Sequence, residues 1–216
     1  MHQSSKLIWA TPEADKHLGY IARVSNPDNQ TNESVEGLFK YMMREGHVSP
    51  FEMAHACIEI NTTRDIGRQI LRHRSFSFQE FSQRYADVSL LPSVAPRECR
   101  LQDQKNRQSS LETNDQEVKD FWLAAQRRIQ GDALLLYEKA LHRGIAKEQA
   151  RALLPEGLTG SRMYMVGSFR SWIHYLNSRL HETTQKEHRE IAQGVLEILR
   201  EVAPTTFNTF FPKEQA

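Results

Sequence analysis

The first part of the chain alternates between short apolar runs and helical patterns. Residues 7–10 form an apolar run that predicts a strand. The Thr-Pro pair that follows predicts the start of a helix over 11–25, and apolar residues at helical spacing predict another over 33–45. Over 53–60 apolar and polar residues alternate strictly, which is typical of a strand with one buried face.

The middle of the chain changes from helical to irregular patterning. The polar residues 61–63 offer capping side chains for a helix that ends near Arg72, and Ile66 and Ile70 would form its buried stripe. Residues 96–114 are polar and show no clear period. We therefore expect that stretch to be a loop or a lid.

The second half is predominantly helical. A long pattern over 116–143 predicts a helix that Gly144 ends and Gly131 could break. The remaining predicted elements are a short helix over 147–154, a strand over 158–166 and helices over 168–180 and 184–202. Because no repeat or linker separates these elements, we expect one α+β domain over residues 1–216.

The composition is that of an ordinary folded protein. Of 216 residues, 39% are hydrophobic and 25% charged, and 28 basic residues against 27 acidic ones give a net charge of +1. This balance argues against a protein that coats DNA or a membrane surface. The longest apolar runs, 121–125 and 133–137, are too short to span a bilayer. Cys57 and Cys99 show no pairing motif, which favours a cytoplasmic location.

Arginines are concentrated in one segment. Five of them lie between Arg64 and Arg84, against only Asp65 and Glu80. Arginine forks match phosphate and planar carbonyl groups, so the cluster is a candidate nucleotide site. In an extended chain Glu80, Ser82 and Arg84 would point to one side. A solvated surface with internal salt bridges explains the same composition equally well.

Four sequence blocks carry a more specific signal. They are His47-Val48-Ser49-Pro50-Phe51-Glu52, Gln69 with Arg72-His73-Arg74 and Ser82-Gln83-Arg84-Tyr85, Gln149-Ala150-Arg151 with Leu153-Leu154-Pro155, and the run from Arg170 to Arg179. In order and spacing these blocks resemble the flavin-dependent thymidylate synthases. The resemblance extends roughly from residue 20 to residue 200.

The resemblance implies a fold and a reaction. The fold would be a mixed or antiparallel sheet packed by several long helices. The reaction would methylate dUMP at C5 to give dTMP, with methylenetetrahydrofolate as the carbon donor and FAD, reduced by NADPH, as the hydride source. A homotetramer with active sites shared between subunits is also implied, with no metal, nucleic acid or membrane as a partner.

The same resemblance assigns roles to individual residues. Those expected to bind dUMP are Gln69, Arg72, Glu80, Ser82, Gln83, Arg84, Arg151 and Arg179. Those expected to bind FAD are Ser49, Arg72, His73, Arg74, Glu80, Arg170 and His174. His47 is expected to line the substrate channel. Arg179 is the expected catalytic residue, because a guanidinium can stabilise charge that accumulates on N3 and the carbonyls of uracil.

The chain departs from the family pattern at three positions. Met53 and Thr183 stand where many members have His, and His174 stands where many have Asn. These positions concern the flavin side of the expected site. The nucleotide-binding positions follow the pattern.

Other interpretations predict different features. A nucleic-acid-binding module would use the arginines together with Phe76, Phe78 and Phe81 as a stacking platform. A flavoprotein of the same fold without synthase activity would carry the same blocks. Trp172 and Tyr175 could stack on a flavin or pterin ring, although helical spacing favours a place in the core. The sequence contains no glycine-rich dinucleotide fingerprint and no His-Glu-x-x-His or Cys-x-x-Cys motif.

Overall fold

The computed structural model describes residues 3–212. In chain order its strands and helices are β1 (Ser4–Ala10), α1 (Ala14–Ala22), α2 (Glu36–Arg44), β2 (His55–Thr63), α3 (Arg64–Ile70), β3 (Ser77–Glu80), β4 (Arg100–Gln102), β5 (Ser110–Glu112), α4 (Gln116–His142), α5 (Lys147–Ala150), β6 (Gly160–Ser168), α6 (Phe169–Arg179), α7 (Lys186–Val202) and α8 (Pro204–Phe210). The main sheet has the order β1-β2-β6-β3 and is antiparallel throughout. This confirms the predicted α+β fold with an antiparallel sheet packed by helices.

The central strands β2 and β6 pair over all nine residues of each strand. On one face of this pair Ile58 lies opposite Met165 and Ile60 opposite Met163, and all four side chains are fully buried. The other face carries polar or half-exposed residues such as Tyr164. The helices therefore pack on a single apolar face, as the alternating pattern over 53–60 predicts.

Helix α6 follows β6 directly and is fixed to the sheet at its first turns. The Ser168 hydroxyl accepts a hydrogen bond from the Ser171 amide at 3.2 Å and so caps the helix. The Trp172 indole donates to the Ala56 carbonyl at 3.2 Å, and both Trp172 and Tyr175 are completely buried. These two aromatic residues belong to the core and present no ring face to a ligand.

Two sequence-based expectations are wrong, and one helix lies beyond the predicted elements. The polar stretch 96–114 is not a plain loop, because β4 and β5 pair in it as a short hairpin. Gly131 does not break α4, which runs without interruption. The chain also forms α8 after Pro204, which occupies the first position of this helix, where its missing amide hydrogen is tolerated. No helix within residues 3–212 combines the length and the apolar character needed to cross a bilayer.

The starts of two helices differ from those predicted, because the expected capping residues form hydrogen bonds within or to the sheet. The Thr11 hydroxyl accepts a hydrogen bond from the His55 amide at 3.0 Å, so it ties β1 to β2 and does not cap a helix. Helix α1 begins later, after Glu13, whose φ of 45° is left-handed. Residues 61–63 continue β2 because Thr62 and Thr63 pair with β6. Pairing across the sheet has overridden local capping preference in both places.

The uninterrupted α4 generates a stability prediction. A Cβ added at Gly131 would meet no atom within 4 Å, so Gly131→Ala keeps the helix and removes backbone freedom from the unfolded chain. We expect the free energy of unfolding to rise by about 0.5–1 kcal/mol in urea denaturation.

The matched control is Gly167→Ala on β6. There the added Cβ would lie 2.5 Å from the Phe76 ring, so this variant should be less stable than the wild type. A loss of stability in Gly131→Ala would contradict the prediction.

Candidate active site

Three arginines of the cluster form ion pairs with glutamates. Arg68 lies 3.0 Å from Glu156, and Arg64 lies 4.0 Å from the same carboxylate. Arg84 lies 3.2 Å from Glu148, with both side chains largely exposed. The salt-bridge interpretation of the cluster is therefore correct for these three residues, and the exposed pairs of Arg68 and Arg84 contribute little to stability.

Four other arginines of the predicted site have no carboxylate partner. Within residues 3–212 no ion pair involves Arg72, Arg74, Arg151 or Arg179. Arg72 and Arg74 are exposed, whereas Arg151 and Arg179 are half-buried. Cations that a fold leaves without a counter-charge are typical of sites that bind anionic ligands.

Arg179 is held by a neutral histidine. Its Nε donates a hydrogen bond to Nε2 of His73 at 2.9 Å. Because a guanidinium can only donate, Nε2 of His73 must be unprotonated. Burial, together with the charges of Arg179 and His174, lowers the pKa of His73 to about 4. No hydrogen bond or ion pair in the part of the chain that the structure describes involves the two terminal amino groups of Arg179.

A buried polar chain lies beside this pair. The Gln69 amide nitrogen donates to Oε1 of Gln185 at 2.8 Å, and its oxygen lies 3.2 Å from Nδ1 of His188. The other ring nitrogen of His188 lies 3.2 Å from the Tyr175 hydroxyl. The rings of His188 and His73 are 6.4 Å apart. Burial, with the charges of Arg179 and His73, lowers the pKa of His188 to about 3.

A groove opens along the exposed side of α6. Its volume is about 490 Å³, and Arg170 forms an ion pair at 2.9 Å with Glu52 within it. The residues that line it are Val48, Glu52, Ser75, Arg170, Ser171, Ile173, His174 and Asn177. Ser49 lies on the turn that also carries Glu52, and the exposed His47 precedes that turn. The predicted flavin residues Arg170 and His174 are thus brought together.

A second group of predicted residues lies at the β3 edge of the sheet. Glu80 accepts a hydrogen bond from the Ser161 hydroxyl at 2.7 Å. Glu80 and Ser82 line an open groove of about 590 Å³ with Arg162 and Tyr164. Gln83 is buried, and its amide nitrogen has no acceptor within the described residues. No hydrogen bond or ion pair within residues 3–212 links this group to Arg179 and His73.

Comparison with known proteins identifies the family. The sequence profile of the family described as "Thymidylate synthase complementing protein" matches residues 6–205. A probable flavin-dependent thymidylate synthase of Paramecium bursaria Chlorella virus 1 is 46% identical over 210 residues, which cover 94% of this chain and 96% of the relative. The flavin-dependent thymidylate synthase of Synechocystis sp. is 50% identical, over 87% and 85% of the two chains.

The chain belongs to the flavin-dependent thymidylate synthase family. A solved structure, the UMP/dUMP methylase PolB from Streptomyces cacaoi with 5-Br dUMP bound, superposes with a TM-score of 0.83. It is 27% identical to this chain, and the match covers 96% of this chain and 94% of that one. Members of this family are enzymes that depend on a flavin, so a flavin is the cofactor of this protein too.

The structure argues against the nucleic-acid interpretation. Phe76, which was expected to belong to a stacking platform, is buried, and its ring centroid lies 4.7 Å from that of Trp172. Phe78 and Phe81 are only partly exposed. A platform for bases requires accessible ring faces, and this segment does not provide them.

Sequence reasoning missed the partners that hold the site residues. His188 and Gln185 were not singled out, although both contact Gln69. A histidine three residues before Ile191 on an amphipathic helix lies on its apolar face, and this position is a signal of a buried polar contact. Gln185 shows no comparable signal, because it precedes the first turn of α7.

The neutral state of His73 predicts a pH dependence of stability. The pKa of His73 is about 4 in the folded protein and about 6.5 in the unfolded chain. The contribution of neutral His73 to the free energy of unfolding is therefore fully present above pH 6.5 and is lost as the pH falls towards 4. At pH 5 this half-buried, partly screened group should have lowered the free energy of unfolding by about 1 kcal/mol relative to pH 7.

Urea denaturation at pH 7 and pH 5 measures this effect. The His73→Gln variant, whose amide oxygen can still accept from Arg179, should lose about 1 kcal/mol less than the wild type between the two pH values. Equal losses in the two proteins would show that His73 titrates normally.

Proposed function

We propose that this protein methylates dUMP to dTMP. Methylenetetrahydrofolate would supply the carbon, and FAD reduced by NADPH would supply the hydride, with tetrahydrofolate as the second product. Membership of the family and the likeness to a dUMP methylase support the proposal. The observation that carries it is the Arg179 side chain, whose cation has no carboxylate partner within residues 3–212 and whose Nε is held by neutral His73.

Arg179 would activate the pyrimidine. Carbon C5 of uracil becomes nucleophilic when negative charge on N3 and the carbonyl oxygens is stabilised. A planar guanidinium can supply two parallel hydrogen bonds to the edge of the ring that carries these atoms. His73 fixes the Nε side of Arg179 without compensating its charge, because the imidazole is neutral. The full positive charge therefore remains directed at the substrate.

The phosphate and sugar of dUMP would be held by the remaining predicted residues. A dianionic phosphate requires cations and hydroxyl donors, which Arg72, Arg151 and Ser82 can supply. The buried amide nitrogen of Gln83 is a donor without an acceptor in the described chain, and a phosphate oxygen would satisfy it. Arg84 could exchange its exposed partner Glu148 for the phosphate at little cost. Gln69 and Glu80 complete the set that we propose for dUMP.

The groove along α6 fits one part of a flavin nucleotide. It combines apolar Val48 and Ile173 with Arg170 and His174, so it can hold a ring and its polar edge. Arg72 and Arg74, which form no ion pair within residues 3–212, precede Ser75, which lines the groove. The pyrophosphate of FAD could bind these two cations. When bound, the reduced cofactor supplies the hydride. We propose that Ser49, His73 and Glu80 also contribute to this site and that His47 lines the entrance.

We further propose a cytoplasmic homotetramer with shared active sites. The groups around Arg179 and Glu80 do not meet within one described chain, and a neighbouring subunit would complete each of them. Helix α4 exposes large apolar side chains that an interface would cover, namely Phe121, Ile129, Leu135 and Leu136. Closed symmetry with copies of the same chain is the usual arrangement. Two free cysteines are consistent with a reducing compartment.

Replacement of Arg179 tests the proposed chemistry. Arg179→Ala should lower dTMP formation from dUMP, methylenetetrahydrofolate and NADPH by roughly a hundredfold or more, since it removes the charge opposite N3. Arg179→Lys should also be poor, because a point charge does not reproduce the planar fork. Both variants should retain bound FAD, measured by its visible absorbance and by bleaching with NADPH.

The matched control is Arg143→Ala. Arg143 is exposed at the C-terminal end of α4, outside every segment of the proposed site, so its loss should leave turnover unchanged. Turnover close to that of the wild type in either Arg179 variant would refute the assigned role.

A separate prediction concerns the cysteines. Burial raises the pKa of the Cys57 thiol, which makes it a poor nucleophile. The Cys99 thiol donates to the Val118 carbonyl at 3.8 Å. Neither cysteine has the surroundings of an activated thiolate. A Cys57→Ala, Cys99→Ala double variant should therefore keep most of its synthase activity at equal flavin occupancy. Complete loss in a folded, flavin-loaded double variant would mean that a thiol performs the chemistry.

A further inference from the structure

The series of hydrogen-bonded side chains that includes Gln69 ends at a carboxylate. Glu187 is buried and accepts hydrogen bonds from Gln185 at 2.9 Å and from Arg100 at 2.6 Å. Burial opposes its charge, but its own backbone amide, Gln185 and Arg100 outweigh burial and lower the pKa of Glu187. An ionised carboxylate can only accept hydrogen bonds, so this end of the chain is a fixed acceptor.

The fixed end determines the direction of every other bond. Since Glu187 only accepts, Gln185 must present its amide nitrogen to Glu187 and its oxygen to Gln69. Gln69 must then donate to Gln185 and turn its own oxygen towards His188. The proton of neutral His188 therefore lies on Nδ1, and its Nε2 accepts from the Tyr175 hydroxyl.

Within residues 3–212 two amide N–H groups are left without an acceptor when this series of bonds is complete, one on Gln185 and one on Gln69. The Gln69 amide nitrogen carries two hydrogens, of which Gln185 accepts one. Gln69 is half-exposed on α3, three residues before Arg72, and its partner His188 lies beside the His73 ring that holds Arg179. A free N–H next to the proposed uracil site can donate to an oxygen of the nucleotide.

We propose that His188 and Gln185 are positioning residues that hold the Gln69 amide in one orientation, with its free N–H directed at an oxygen of the bound pyrimidine nucleotide. His188 does not touch the substrate. Its completely buried ring, anchored by Tyr175, directs the Nδ1–H at the Gln69 oxygen, and the flipped amide would in addition place the Gln69 oxygen against the oxygen of Gln185. This inference rests on the proposed function of Gln69 and Arg179 as nucleotide-binding residues.

The test measures dUMP binding and turnover in flavin-loaded protein. His188→Leu leaves Gln69 free to rotate, so the Kd and KM for dUMP should rise about tenfold while kcat changes less than threefold. His188→Asn places a side-chain N–H close to the position of Nδ1, and it should restore KM to within about threefold of the wild type. Gln185→Ala removes the support on the opposite side and should also raise KM for dUMP.

The matched control is Val195→Ala, which removes two methyl groups from the buried face of the same helix, two turns away. It should lower stability without changing KM for dUMP. If His188→Leu fails to fold, the Gln185→Ala variant carries the test, because Gln185 lies before the first turn of α7 and is only half-buried.

The outcomes separate this inference from the proposed function. A wild-type protein that does not bind or methylate dUMP refutes the proposed function itself. An active wild type whose KM for dUMP is unchanged in both His188→Leu and Gln185→Ala refutes only the positioning role. A rise in KM that His188→Asn fails to reverse would also refute it, because a general packing defect would then explain the result.

Discussion

The antiparallel pairing of β2 with β6 is the constraint on which the rest of the molecule depends. Each strand continues directly into a helix, β2 into α3 and β6 into α6. Because the paired strands run in opposite directions, these helices start at opposite ends of the pair, and both pack on its apolar face. The register of nine residue pairs therefore determines where His73, after α3, meets Arg179, at the end of α6.

The arginines of the candidate site differ in the kind of partner that holds them. The exposed residues Arg68 and Arg84 form ion pairs with Glu156 and Glu148, which the fold brings near them. Among the described residues, the side chain that holds Arg179 is a neutral imidazole, which supplies orientation without charge compensation. A carboxylate in the place of His73 would hold Arg179 as firmly but would reduce the field at a substrate. The choice of a histidine with a low pKa thus suits a cation that acts on a ligand.

The side chains that contact Gln69 are joined by a continuous series of hydrogen bonds. The chain from Tyr175 through His188, Gln69 and Gln185 to Glu187 has one consistent direction because a carboxylate stands at one end. A reversed Gln69 amide would place its oxygen against the oxygen of Gln185, and two acceptors that face each other in a region of low dielectric are costly. The hairpin β4–β5 takes part through Arg100, so the polar segment 96–114 contributes to the site as a support.

Local patterns in the sequence determined most of the elements and the identity of the family. Strand β2, helix α4 and the amphipathic α7 follow from hydrophobic periodicity, since each buries one face. Four short blocks sufficed for the family because their residue types and spacing are specific. Sequence patterns also placed Trp172 and Tyr175 in the core, as the structure confirms.

Only the tertiary structure decided which polar groups meet. Gln69 and His188 are separated by 119 positions, and no periodicity links residues so far apart. The fold brings Glu156 near Arg68 and Glu148 near Arg84. Over residues 3–212 it brings no carboxylate within ion-pair distance of Arg72 or Arg74. The Thr11 hydroxyl bonds to the start of β2, and residues 61–63 join the sheet, because pairing across strands satisfies more polar groups than a local cap. Periodicity reports which face of an element is buried, whereas contacts between side chains depend on how the elements are arranged in three dimensions.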